Sequence, residues 1–495
     1  MTPVTVGLQV DNFATLRHAQ INLNKLLVLM GPNNSGKSTA AVLLYAACRS
    51  VPLARGSTSG LKSRSIQAAI RPPEFDRRYV PKAANDLITA ARNSRTSDEM
   101  VANFPQSVRS IMTRPMKQLL GSYMRAFAKE LERCFGGTLK ELVRQPSNGL
   151  PTRIQISYGD QWLAAINITR RRISYEVTLN DMDDAAWNDI VRRFLESWPH
   201  WTSFRRRSFT NVDSATYALD EIFTFLIQYH FRNFPRTAHY MPASRSGTLQ
   251  SHRALAAAMI RQSSYAGIED LAVPKLPGVV ADFIGKLLVL NPSRTGPYKE
   301  IAARLQQEVL HGEIKLSPAA PTAPEINFAV GEVKHALHRT SSMVSELAPI
   351  ILFLRHVVET RDLIIIEEPE SHLHPAGQVG LATTIARLVS SEVSVVITTH
   401  SDYFINQISN LVMKAAIAES GADHDTTGVD AVAISPSTAS AYLFRPVSSD
   451  INSGSTVEEL PVTTSGISDA EFAQVAEWLY NESALLTQKV NSIDA

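Results

Sequence analysis

Three separated runs carry the residue types needed to hold a phosphate chain and a divalent cation. The first is Gly31, Pro32, Asn33, Asn34, Ser35, Gly36, Lys37 and Ser38, with Thr39 next. Glycines let backbone N–H groups approach phosphate oxygens, and a helix opening at the end of such a loop adds its own N-terminal N–H groups. Lys37 can reach β and γ oxygens as a point charge, and the Ser38 hydroxyl is placed to ligate Mg²⁺. The pattern needs a strand before it and a helix after it. The apolar run from Leu26 to Met30 supplies the first, and the Ala/Leu-rich stretch to about Cys48 supplies the second.

The second run is Leu363, Ile364, Ile365, Ile366, Glu367, Glu368, Pro369 and Glu370. It reads as a buried parallel strand that delivers carboxylates at its carboxyl edge, where parallel α/β sheets bind ligands. Side chains alternate along a strand, so the two carboxylates can have different work. Glu367 is assigned to Mg²⁺, directly or through water, although most such motifs carry the shorter Asp there. Glu368 is assigned to aligning and polarising the attacking water. The third run is the buried strand Val393 to Thr399, followed by His400 and Ser401, and it places His400 as a donor to a γ-phosphate. Together the runs predict one site for ATP and Mg²⁺, with Lys37, Glu368 and His400 catalytic and 31–39 holding the phosphates.

The elements that must position these residues are spread along 495 residues, a length for two to four domains, with the apolar and charged fractions of an ordinary globular chain. No apolar stretch is long enough to cross a bilayer and the N-terminus alternates like a strand, so a cytoplasmic location without membrane contact is expected. Cys48 and Cys134 have no metal or disulfide spacing. The net charge of +2 conceals an asymmetry. Between Val51 and Tyr240 there are 28 basic and 18 acidic residues, net +10, and the remainder has 21 and 29, net −8. The Arg170 to Arg172, Arg192 to Arg193 and Arg205 to Arg207 clusters suit nucleic acid or an acidic protein surface, or are solvated faces. From Pro446 to Ala495 eight residues are acidic and only Lys489 is basic.

This organisation gives an α/β fold with four parts. Residues 1–50 form the N-terminal part of a P-loop head, 51–234 an inserted basic α/β arm, 235–445 the rest of the head, and 446–495 an acidic tail. Within the arm, an amphipathic helix is expected from Pro115 to Cys134 with Gly136 as its C-cap, then strands at 154–158, 162–168 and 173–179 and helices near 185–198 and 215–231. Strands are expected at 312–316 and 326–329 around a Pro/Ala loop. In the tail, Ser468 and Glu471 have capping-box spacing, and Phe472, Val475, Ala476 and Leu479 form a helical stripe.

The set 31–39, Glu367, Glu368, His372, Leu373, His374, Pro375, Thr398, Thr399, His400 and Ser401 resembles the ABC-type ATPases of the OLD-like class, relatives of Rad50, SMC and RecF heads. The run from Tyr240 to Gly247 and Ser341, Ser342, Ser345, Glu346 and Leu347 also resemble segments of its bacterial members. The resemblance covers about 1–50 and 235–415. It implies an ABC-type head that pairs head to tail as a homo-oligomer, with ATP on one loop completed by a signature segment of the neighbour. Ser342 to Glu346 is the best match for that segment, which leaves Ser341, Ser342 or Ser345 as the contact, and any of them could instead cap a helix. Arg245 is a phosphate or interface candidate. OLD-type nucleases add a metal-dependent domain, but Asp423 and Asp425 lie in a Gly/Asp/Thr loop without the strand that domain requires. The resemblance extends to ATPase components of antiphage systems such as the PARIS and Septu types, where a separate protein is the effector. The expected function is therefore a nucleotide-assembled ATPase that controls an effector. The alternatives are a RecF-like DNA-binding repair ATPase using the basic arm and, less favoured, a nuclease.

Overall fold

The computed structural model describes residues 5–51, 79–143, 151–169, 171–197, 212–249, 276–317, 325–420, 432–447, 454–468 and 470–493. The chain begins with strands β1 (Val6–Phe13), β2 (Leu16–Leu23) and β3 (Leu26–Met30), then helix α1 (Lys37–Arg49). Helices α2 (Val80–Asn93), α3 (Ser97–Ala102) and α4 (Gln106–Phe135) precede β4 (Thr152–Tyr158), β5 (Trp162–Ile168) and β6 (Ile173–Leu179). Helices α5 (Asp184–Ser197) and α6 (Val212–His230) lead to β7 (Ala238–Met241), α7 (Gly278–Leu288) and α8 (Lys299–Leu305). After β8 (Glu313–Ser317), β9 (Glu325–Val330) and β10 (Val333–Ala336) come α9 (Ser342–His356), β11 (Leu363–Glu367), α10 (Pro375–Ser390), β12 (Ser394–Thr399) and α11 (Asp402–Ser420). The chain closes with β13 (Ala439–Pro446), β14 (Ser455–Leu460), β15 (Val462–Thr463), β16 (Gly466–Ile467) and α12 (Ala470–Ile493).

These elements divide into two compact units. The first comprises Met1–Leu23, Val42–Ala238 and Val447–Thr456. Its sheet has the order β6-β5-β4-β1-β2, antiparallel throughout, with Val10 opposite Ala19 and Ile154. Strict alternation buries Val6, Leu8 and Val10 on β1 and Ile154, Ile156 and Tyr158 on β4. The hairpin β1–β2 therefore shares its sheet with the strands of the arm. Although it precedes the phosphate loop within 1–50, its pairing with β4 sets it in the sheet of the arm. Helix α4 begins nine residues earlier than expected and carries Pro115 in its interior, because buried Val108, Ile111 and Met112 extend the apolar stripe upstream. Gly136 ends the helix at φ 71°, a left-handed conformation that glycine takes without steric cost. Tyr123, Tyr158, Trp162, Phe231 and Phe234 form one aromatic cluster with ring centroids 5.4–6.3 Å apart. Arg192 pairs with Asp98 and Arg193 with Asp189. Arg171 and Arg172 are exposed, and Arg170 and 205–207 lie outside the described residues.

The second unit comprises Asn24–Ala41, His239–Pro446 and Val457–Ala495. Strands β13, β3, β12 and β11 lie side by side and parallel, with β7 beyond β11. β3 and β11 are wholly buried five-residue runs, the pattern of a parallel sheet covered on both faces. Apolar side chains from β3, β11, β12, α9, α10 and α11 fill one core. The expected strands near 312–316 and 326–329 are β8 and β9, and β10 adds a third to that small antiparallel sheet. The hairpin β15–β16 docks on α11, where the Ile467 N–H donates to Ser409 Oγ at 3.1 Å. The tail helix forms as α12, but Val475 and Leu479 of the expected stripe are exposed.

Candidate nucleotide site

The register of the parallel strands decides where the chemistry gathers. Thr399 at the end of β12 pairs with Met30 at the end of β3, and Glu367 at the end of β11 pairs with Thr398. The three carboxyl ends thus stop at one edge of the sheet, and 31–36, Glu367, Glu368 and His400 follow directly from them. At the first of these, Gly31 has φ 138°, Asn34 60° and Gly36 94°, conformations that turn successive N–H groups inward around a concave loop. A Cβ on Gly31 would come within 2.6 Å of the Phe444 carbonyl oxygen on β13, so only glycine fits there. Lys37 is buried and donates from Nζ to the carbonyls of Gly31 and Pro32, each at 2.8 Å. Burial lowers its pKa, and the negative fields of Glu368, Glu370 and Glu367 oppose that shift. Asn33, Asn34 and Ser38 are exposed, Thr39 is half-buried, and buried Ser35 has no hydrogen-bond partner for its hydroxyl.

The carboxylate run is held from behind by a residue whose role the sequence left open. Arg245 is fully buried, and its Nη1 donates to the Glu367 carbonyl at 2.6 Å and to the Pro242 carbonyl at 3.1 Å. Nη2 donates to the Glu368 carbonyl at 3.2 Å, and Nε lies 3.0 Å from Glu346 Oε2. Glu346 in turn accepts from the Ser246 N–H at 3.1 Å. The guanidinium is therefore a strut that fixes the backbone of Glu367 and Glu368. It is sealed from solvent, which removes it from the candidates for direct phosphate contact. Glu368 is held at φ 41°, a conformation that costs a non-glycine residue about 1–3 kcal/mol and recurs at functional sites. Its N–H donates to the Thr398 carbonyl at 2.9 Å, and its Oε2 accepts from Ser371 Oγ at 3.2 Å.

Glu370, the last carboxylate of the run, joins two strand ends. Its buried Oε1 accepts from Thr399 Oγ1 at 2.6 Å and from the His400 N–H at 3.0 Å. The same oxygen lies 3.7 Å from His400 Nδ1, on a half-exposed ring. One carboxylate thereby ties the end of β11 to the end of β12 and orients the histidine. Gln378 on α10 was also missed. Its Oε1 accepts from Ser401 Oγ at 2.5 Å, which fixes the turn after His400. A third Glu after the paired carboxylates is visible in the sequence, but its burial and its partners are not.

The signature candidates separate by burial. Ser341 caps α9 by accepting from the Val344 N–H at 3.4 Å, and Ser342 stands exposed in the first turn. Ser345 is buried and donates to the Leu337 carbonyl at 3.4 Å, so its hydroxyl faces the fold of its own chain. His374 caps α10 through Nδ1, and His372 is exposed. Asp423 and Asp425 lie outside the described residues.

The donor set fits magnesium together with a triphosphate. Glu367 is buried with Oε1 lacking any partner, and Ser38 offers a free-standing hydroxyl at the start of α1. Both are hard oxygen donors, the kind Mg²⁺ takes alongside phosphate oxygens and water. Among the described residues no group of three His, Cys, Asp or Glu side chains is placed to hold a metal ion.

Comparison with known proteins bears on this site. The AAA ATPase domain family matches residues 290–405, which include Ser342, Glu367, Glu368, Glu370 and His400. No curated protein matches the chain. Solved structures that it resembles include the SmcHead bound to the C-winged helix domain of ScpA, at 11% identity and TM-score 0.37, with 93% of this chain and 98% of that chain covered. The SMC head domain from Thermotoga maritima overlaps at 10% identity and TM-score 0.34, with 92% and 99% covered. The Smc head domain with an extended coiled coil bound to the C-terminal domain of ScpA derived from Pyrococcus furiosus gives 10% and 0.36, with 96% and 99% covered. Those overlaps are too loose to inform function. The chain is similar to P-loop ATPases of the AAA type, on the strength of the matched domain and of the phosphate loop that lies outside the match.

Proposed function

We propose that the protein binds ATP with Mg²⁺ at 31–39 and hydrolyses it to ADP and phosphate. The observation that carries this reading is the shared edge of β3, β11 and β12, which brings Lys37, Glu367, Glu368 and His400 to one place. Lys37 leaves its loop carbonyls for the β/γ oxygens, Ser38 and Glu367 hold the cation, and Glu368 aligns the water. The cation supplies neutralisation of charge on the β and γ oxygens. His400, oriented by Glu370, donates to the γ-phosphate.

Exposed Ser342 at the start of α9 supports a finer reading, in which the signature segment completes the site of a second copy. Two heads would then close on ATP and part after hydrolysis, and a separate effector protein would be held or released by that cycle. The motif resemblance to OLD-like ATPases favours antiphage defence as the setting. DNA binding through the arm has less support, since Arg192 and Arg193 are already paired with Asp98 and Asp189.

Light scattering on Glu368→Gln tests the assembly. ATP should raise its mass to at least a dimer that survives dilution, and Ser342→Arg should prevent this without unfolding the chain. Hydrolysis by a strict monomer at an unchanged rate per subunit would remove the shared-site reading. Phage challenge with and without the neighbouring gene tests the effector, and protection by this gene alone would contradict it.

A further inference from the structure

The apolar face of α12 has a spacing that a second copy of the same helix would fit. Phe472, Leu479, Leu486 and Ile493 recur at intervals of seven along it, and Ala476, Ser483 and Val490 fall four residues after the first three of them. That alternation of four and three is the seam of a coiled coil, because seven residues make almost two helical turns. Gln474, Glu477, Asn481 and Gln488 occupy the opposite side of the helix. Every described side chain of α12, at 475 and 477–490, is exposed, and Leu479, Leu486 and Val490 of the seam are at least half exposed.

An amphipathic helix draws most of its stability from packing its apolar face, so a stripe exposed from Leu479 to Val490 calls for a cover. A membrane surface is a poor one. It takes helices with a basic polar face, and in α12 Glu471, Glu477 and Glu482 stand against Lys489 alone. The charges instead select a copy of the same helix running the other way. Glu482 and Lys489 each come directly before a seam residue, at the flanking positions where charges pair across a coiled coil and set its orientation. Antiparallel pairing centred near Ala484 puts Leu479 against Val490 and Ser483 against Leu486 of the second copy, and it brings Glu482 of each helix to Lys489 of the other. The contact is self-complementary about a two-fold axis, so the ion pair forms twice. In a parallel pair Glu482 would face Thr487 instead.

We propose that α12 is a self-association element, and that two copies of the chain pair through it as an antiparallel coiled coil held in register by Glu482 and Lys489. This surface is separate in sequence from Ser342 and the phosphate loop, and its pairing needs no nucleotide.

Sedimentation of the full chain without nucleotide tests it. The parent and Lys37→Ala should both be dimers, since the stripe is covered without ATP. Leu479→Glu combined with Leu486→Glu, on an exposed face that leaves the core intact, should be a monomer at the same concentration. Glu482→Lys and Lys489→Glu should each weaken the dimer by roughly tenfold, the worth of two surface ion pairs, and the two changes together should restore it. Pairing of heads by ATP is then measured in the Leu479→Glu, Leu486→Glu chain, where it starts from a monomer, so either proposal can fail without the other. A parent chain that stays monomeric at roughly 100 μM without ATP, a dimer of undiminished strength after the two leucine changes, or single charge changes whose losses are absent or are not restored by the exchange would overturn the proposal.

Discussion

Several residues at the strand edge act through others. Glu370 touches no phosphate in the proposed chemistry, but it fixes Thr399 and His400 by two hydrogen bonds. Glu370→Gln keeps the shape and loses the charge that makes those bonds strong. Turnover should fall by roughly 10- to 100-fold, the range for partners that orient a working group. ATP affinity should stay within about threefold, since the phosphate loop is untouched. Equal losses in binding and turnover would show that Glu370 supports the loop instead. Arg245 makes a different prediction. Arg245→Met would leave Glu346 buried and unpaired and free the Glu367 and Glu368 carbonyls, a loss of about 3–5 kcal/mol in unfolding free energy. Urea denaturation measures it, and a variant as stable as the parent would contradict the strut.

At the element scale, the pieces whose signals are local were legible in the sequence. β3, β11 and β12 were found as short apolar runs ahead of polar motifs, and β4 to β6 within two residues of their ends, because alternation and turn residues are local. β13 was not identified, although it lies against β3, because Ala439 to Pro446 carries no motif and its place is set by pairing with residues four hundred positions away. Pro115 was read as a helix start, the usual preference, and tertiary burial of the preceding turns overrode it. Of the candidate site, the phosphate loop and the paired carboxylates were readable. The Arg245 strut and the Glu370 and Gln378 bonds were not, since each joins elements with no sequence relation.

His230 on α6 gives this scale a pH test. Its pKa is lowered to about 4 in the fold and stands near 6.5 in the unfolded chain, so only the unfolded state takes up a proton between those values. The stability of the first unit should therefore fall as pH drops from about 6.5 to 4, by on the order of 3 kcal/mol from this residue. His230→Asn should flatten that slope in pH-dependent urea melts. An unchanged slope would place the acid sensitivity elsewhere.

At the scale of the whole molecule, the two units carry distinct work. The second holds the strand edge, the phosphate loop and the carboxylates, and the first holds the aromatic cluster. Helix α12 bears Trp478, Leu479, Tyr480, Leu485 and Leu486 at half exposure or more, a surface of the kind that marks interaction sites. All readings of the nucleotide cycle nevertheless rest on one claim, that the shared edge of β3, β11 and β12 is a hydrolytic site. The most direct measurement is ATP binding and phosphate release on Glu368→Gln, with Lys37→Ala alongside. Glu368→Gln should bind ATP about as tightly as the parent and release phosphate at least about a hundredfold more slowly, because only the water-aligning carboxylate is lost. Lys37→Ala should lose binding as well. A Glu368→Gln protein with undiminished phosphate release would contradict the account.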